Sequence, residues 1–71
     1  MNQVISEGVE FAKAANQNLM SVVATLKNGK RMRYSFFMPD GVTEADALAD
    51  FQNAATLREA AGKYKADVQI A

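Results

Sequence analysis

The chain contains no cysteine and no histidine. The first absence excludes a disulfide scaffold and a thiol nucleophile. The second removes the usual imidazole base and, together with the first, the ordinary ligands of a zinc site. Net charge is also missing, since eight Lys and Arg balance eight Asp and Glu. No global field therefore draws the protein to nucleic acid or to an anionic membrane. No apolar run approaches the roughly 18 residues that span a bilayer. The N-terminal stretch MNQVISEGVEF places acids where a secretory signal needs a basic start and a long apolar segment. These absences lead to the expectation of a soluble, cytoplasmic protein with no membrane partner.

Catalytic equipment is scarce. Ser6, Ser21 and Ser35 are the only serines. None sits in a nucleophile-elbow context, and no histidine exists to activate one. Asn28-Gly29-Lys30 and Asp40-Gly41-Val42 read as turns, without the glycine spacing of a phosphate-binding loop. Asp46 and Asp50 share a helix face near Glu44, but two monodentate carboxylates make a poor cage for a hard cation. A solvated helix face accounts for them. An enzyme is not expected, and neither is a cofactor or a metal.

What is present is enough for a single small domain. The chain has 71 residues, of which 49% are hydrophobic. That apolar content argues against disorder. A chain this short buries only about 60% of the surface it exposes when unfolded, so its core is thin. Charge is segregated despite the zero sum. From Phe11 to Pro39 there are bases and no acids (Lys13, Lys27, Lys30, Arg31 and Arg33), whereas Asp40 to Asp50 carries acids and no base.

Periodicity suggests the elements. Residues 3 to 15 read as a helix, with Val4, Ile5, Gly8, Val9, Phe11, Ala12 and Ala15 on one side; a strand over part of this stretch is the alternative. Gly8 weakens the helix reading by about 1 kcal/mol relative to alanine. Residues 19 to 26, LMSVVATL, and 31 to 38, RMRYSFFM, read as strands joined at Lys27-Asn28-Gly29-Lys30, and Pro39 ends the second. Thr43 is positioned to cap a helix running to about Ala61, with Gly62 as its stop. Ala47, Leu48, Phe51, Ala54 and Ala55 form its inner stripe. Leu57 falls off that stripe, so either the helix breaks near Thr56, which has Glu59 at the N3 position, or Leu57 meets something else. Residues 64 to 71 alternate, with Tyr64, Ala66, Val68 and Ile70 facing inward.

The expected architecture is a two-layer α+β domain of order α-β-β-α-β. Its three-stranded sheet has the order 2-1-3, with helices packed on one face. A right-handed crossover through the long helix makes the last strand parallel to the second. At the hairpin two registers compete. A two-residue Asn-Gly loop sets Met20 opposite Phe37 and Ala24 opposite Arg33, leaving neither face consistently apolar. A three-residue loop with Gly29 left-handed sets Leu19 opposite Phe37. It unites Met20, Val22, Ala24 and Leu26 with Met32, Tyr34, Phe36 and Met38. The second register is favoured because a one-residue slip moves a whole strand to the other face.

In that register the outer face carries Leu19, Val23, Arg31, Arg33 and Phe37, with Lys27 and Lys30 at the hairpin tip. These seven residues are the candidate partner-binding site. The expected function is a non-catalytic protein-binding module, a stoichiometric regulator or inhibitor resembling, by fold analogy alone, small phage proteins that disable host enzymes. It would act through the outer sheet face or a sheet edge, on another protein or on a second copy of itself. The alternative is nucleic-acid binding through the basic hairpin 27 to 37, with phosphate contacts from its cations.

Overall fold

Four strands and two helices succeed one another along residues 9–54 and 56–71, the residues that the computed structural model describes. They are β1 (Glu10–Asn16), β2 (Leu19–Thr25), β3 (Arg31–Phe37), α1 (Glu44–Asn53), α2 (Leu57–Tyr64) and β4 (Asp67–Ile70). The strands form one sheet of order β1-β2-β3-β4, and every neighbouring pair is antiparallel. The class is α+β, but the sheet has four strands, not three, and the order 2-1-3 is replaced by a simple meander.

The added strand is β1, where a helix was expected. Residues 10 to 16 pair with β2 from Glu10 opposite Thr25 to Asn16 opposite Leu19, turning through Gln17 and Asn18. The physical reason is competition. An isolated helix of this length is marginal in water, whereas the same residues complete a ladder along the free edge of β2. Val9, Phe11, Lys13 and Ala15 alternate with Glu10, Ala12 and Ala14, so the stretch satisfies the strand period as well as the helical one. The rest of the expected helix, residues 3 to 8, lies outside the described residues.

The hairpin between β2 and β3 has the three-residue loop. The Leu26 N–H donates to the Lys30 carbonyl at 2.8 Å, and the Gly29 N–H donates to the Leu26 carbonyl at 2.9 Å. Gly29 has φ 88°, the left-handed conformation that such a bulged loop requires. Asn28 Oδ1 accepts from the Lys30 N–H at 2.9 Å and braces the tip. Leu19 therefore lies opposite Phe37, and Val22 opposite Tyr34.

The expected long helix is broken, and the break explains the corrected topology. Thr43 Oγ1 accepts from the Asp46 N–H at 3.1 Å to start α1. After Ala54 turns extended, Thr56 Oγ1 accepts from the Glu59 N–H at 3.1 Å to start α2. Thr56 is thus the second cap, the arrangement that Leu57 off the stripe hinted at. One helix would carry the chain across the sheet and deliver a parallel strand. Two helices return it to the end where β3 finished, so β4 runs antiparallel, with Asp67 opposite Ser35. Ala55, read as part of the inner stripe, lies outside the described residues.

Gly62 does not stop the helix. It sits inside α2, and Lys65 terminates the helix in the left-handed conformation, φ 53° and ψ 46°. Tyr64 ends α2 and does not open a strand, although its ring is buried as expected. Both helices pack on one face of the sheet. The core joins Met20, Val22, Ala24, Tyr34 and Phe36 to Ala47 and Phe51 of α1 and to Ala60, Ala61 and Tyr64 of α2. Phe51 is the hub, with ring centroids 5.3 Å from Tyr34, 5.7 Å from Phe36 and 6.1 Å from Tyr64.

Candidate functional site

Directly opposed residues of an antiparallel sheet point to the same side, so the pairings fix the composition of the face away from the helices. Four rows cross it. Glu10, Thr25 and Arg31 lie at the hairpin-tip end. Ala12, Val23, Arg33 and Gln69 follow, then Ala14, Ser21, Ser35 and Asp67, and finally Asn16, Leu19 and Phe37. Among the described residues no helix covers this face, because α1 and α2 both pack on the other side.

Five of the seven candidate residues, Leu19, Val23, Arg31, Arg33 and Phe37, come together on this one face. Lys27 and Lys30 are exposed at the tip beside Arg31. Leu19 is 41% exposed and Phe37 75% exposed, and they are direct cross-strand partners. The pair forms an apolar end to the face. Beside it an open groove of about 540 Å³ runs past Phe37, Ser35, Lys65 and Asp67. In the middle of the face, Ser21 Oγ and Ser35 Oγ lie 3.3 Å apart and share a hydrogen bond.

The face also holds residues that the sequence reading did not assign to it. Glu10, Ala12 and Ala14 were hidden by the helical reading of their segment, whereas Asp67 and Gln69 face outward as their alternation indicates but lie beside β3 and not beside β2. Glu10 and Asp67 matter most. They put two anions on the surface that carries Arg31 and Arg33, so the face is dipolar and not uniformly basic. The alternation of residues 9 to 15 was the signal that would have revealed β1.

Two acids of the helices, Glu44 and Asp50, are committed elsewhere. Glu44 Oε1 accepts from Lys13 Nζ at 2.9 Å, tying α1 to β1. Asp50 Oδ2 accepts from Lys63 Nζ at 2.8 Å and from the Tyr64 hydroxyl, tying α1 to α2. The hydrogen bond from Lys63, and next that from Tyr64, hold the Asp50 carboxyl below its ordinary value. Burial, with the nearby Asp50 carboxylate, pushes the Tyr64 hydroxyl up to about 12. These shifts arise within the clasp that joins α1 to α2. Among the described residues no three His, Cys, Asp or Glu side chains gather where they could hold a metal ion, and no helix is long and apolar enough to cross a membrane.

No family model matches the chain, and neither the curated proteins nor the solved structures contain a significant match to it.

Proposed function

We propose that the protein is a small non-catalytic binding module, a regulator or inhibitor of another protein, that docks through its outer sheet face. The observation carrying this reading is the opposed pair Leu19 and Phe37, exposed side by side at one end of a face that no described helix covers. Aromatic and arginine side chains are enriched among the residues that dominate binding energy, and here Phe37 shares β3 with Arg31 and Arg33. The partner surface complementary to this face has an apolar pocket for Phe37 and an acidic rim facing the two arginines.

The test is binding of captured partners to the wild type and to Phe37→Ala and Leu19→Ala variants. Loss of about 2 kcal/mol of affinity, roughly thirtyfold, is expected for Phe37→Ala if the ring is an anchor. Unchanged capture by both variants would remove the outer face from consideration.

A second reading is favoured by one feature, the exposed cluster of Lys27, Lys30 and Arg31 at the hairpin tip, with Arg33 next along β3. It assigns the tip to nucleic-acid phosphates. Affinity for DNA or RNA would then fall steeply with salt and weaken in Arg31→Ala and Arg33→Ala. Absence of binding at low salt would sink it. Glu10 and Asp67 on the same face oppose this reading, and the binding-module reading is therefore preferred.

A further inference from the structure

The two edges of the sheet differ in a way that bears on self-association. The hydrogen bonds between Asn18 and Met38, between Leu26 and Lys30, and from the Ala71 N–H to the Arg31 carbonyl fix which backbone groups point along which side of each strand. On β1 the groups turned outward from the sheet belong to Phe11, Lys13 and Ala15. On β4 they belong to Val68 and Ile70, because Asp67, Gln69 and Ala71 direct theirs to β3. An edge strand with free N–H and C=O groups is a template for pairing, and natural proteins blunt it with charge. The β1 edge is blunted, since Lys13 sits at its centre and reaches Glu44 on the helix side. The β4 edge has no charge at its outward-paired positions, its one charged residue, Asp67, lying at its start and on the outer face. Its two outward-paired residues carry apolar side chains, 48% exposed at Val68 and 72% exposed at Ile70, on the side of the sheet that faces the helices.

We infer that the β4 edge pairs with the β4 edge of a second copy, antiparallel about a two-fold axis at Gln69. In this register Val68 of each copy lies opposite Ile70 of the other. Both residues direct their N–H and C=O outward, so each opposed pair exchanges both hydrogen bonds and the strand pair makes four. The same register stacks each Val68 side chain on the other copy's Ile70, covering the two most exposed apolar side chains of the helix face together. Shifting the register by two residues would leave one apolar side chain of each copy uncovered. The requirement of an isologous contact, that residue i meets j and j meets i, is thus met by the strand itself. The zero net charge of the chain adds no repulsion between copies. A four-residue edge buries less than the roughly 1,600 Å² of a standard interface, so the expected dimer dissociates in the micromolar range and not the nanomolar. The inference deepens the reading of the chain as a binding module, but it concerns the edge and is independent of the outer face.

Sedimentation velocity from about 1 µM to about 1 mM tests it, combined with amide hydrogen exchange at both extremes. The mass is expected to rise from 7.7 kDa toward twice that value, with the Val68 and Ile70 amides becoming protected only at high concentration. Val68→Pro removes an outward donor without touching the β3 ladder, a position where an edge strand tolerates proline. It is expected to weaken the dimer by at least about tenfold, since symmetry deletes two hydrogen bonds at once. Ile70→Lys is expected to do the same by placing like charges against each other's edge, and circular dichroism of both variants shows whether the monomer fold persists. Phe37→Ala is expected to leave the dimer intact. A wild type that stays at 7.7 kDa throughout overturns the inference. So does a dimer whose Val68 and Ile70 amides remain unprotected, or one lost in Phe37→Ala and retained in Ile70→Lys, which would assign self-association to the outer face.

Discussion

The glycine of α2 stands three residues too early, and moving it should stabilise the domain. Gly62 lies inside the helix, is exposed, and apart from its chain neighbours and the helix's own backbone has no atom within 4 Å of where a Cβ would sit. Gly62→Ala therefore meets no steric obstacle and should contribute about 1 kcal/mol by propensity alone. Lys65 is the reverse case. It occupies the left-handed position of a Schellman motif in which the Ala66 N–H donates to the Ala61 carbonyl at 2.9 Å and the Lys65 N–H donates to the Gly62 carbonyl at 3.3 Å. A non-glycine residue there carries a cost of roughly 1–2 kcal/mol. Glycine relieves it but loses roughly 0.5–1 kcal/mol more backbone entropy on folding. Lys65→Gly should therefore gain about 0.5–1 kcal/mol.

The double variant Gly62→Ala, Lys65→Gly should gain about 1.5–2 kcal/mol if the two changes add. At about 4–8 °C per kcal/mol for a domain of this size, the melting temperature should rise by roughly 6–16 °C. Urea unfolding followed by far-ultraviolet circular dichroism measures the gain, with the midpoint moving and the slope unchanged. Lys65→Ala is the control. It removes the same side chain but keeps the left-handed cost, so it should gain little. Equal effects of alanine and glycine at position 65 would refute the assignment of strain to the backbone, and a destabilising Gly62→Ala would refute the reading of α2 as an open helix surface.

Two further outcomes follow from the core and the clasp. Phe51→Ala removes a fully buried ring that meets Tyr34, Phe36 and Tyr64. It should cost about 3–5 kcal/mol, enough to unfold much of a population whose whole stability is of order 5 kcal/mol, as circular dichroism at 25 °C would show. The clasp predicts two pH limbs. Asp50 is lowered in the folded state, so its contribution is present at neutral pH and is lost as pH falls below the ordinary value of 3.8. Tyr64 is raised from 10.0 to about 12, so the folded state holds a proton that the unfolded chain has released, and stability falls as pH rises through that interval. Urea midpoints against pH should show both limbs, with Asp50→Asn flattening the acid one and Tyr64→Phe reducing the alkaline one, to which Tyr34, also raised by burial, contributes the remainder.

The legible parts of the fold were those where two independent constraints agreed. The β2–β3 register was readable because Asn28-Gly29 allowed two loops and only one gave a uniformly apolar face. The caps at Thr43 and Thr56 were readable because each hydroxyl precedes an acid at the third helical position. β1 was not, because alanines at 12, 14 and 15 fit a helix and a strand equally, and the choice was made by the open edge of β2, a distant fact. The placement of β4 failed as a consequence. A helix bending at Ala54 instead of continuing reverses the direction of everything after it, and alternation in residues 64 to 70 says nothing about direction. Alternation also mistook Val68 and Ile70 for core, since they share the inward face by register but lie at an edge that the helices do not reach. Leu19, Val23, Arg31, Arg33 and Phe37 lie on one face despite these errors, because all five are on β2 and β3, whose pairing was read correctly.

The edge and the face are geometrically separable, and this gives them a joint consequence. A two-fold axis at Gln69 runs perpendicular to the sheet, so a β4-paired dimer keeps both outer faces on the same side. The two β3 strands then stand three interstrand steps apart, about 14 Å, each with its own Phe37 and its own pair of arginines. A partner that is itself dimeric, or that has a repeated epitope, would meet two docking ends held at a fixed spacing. The second contact would then be intramolecular, raising overall avidity without any new contact. Ile70→Lys should in that case weaken capture of such a partner although Ile70 touches none of it, while a monovalent partner should bind Ile70→Lys and wild type alike. Titrating one immobilised partner at high and at low surface density separates these outcomes. A loss for Ile70→Lys that appears equally at both densities would mean that the edge contacts the partner directly, and the division of labour between edge and face would be wrong.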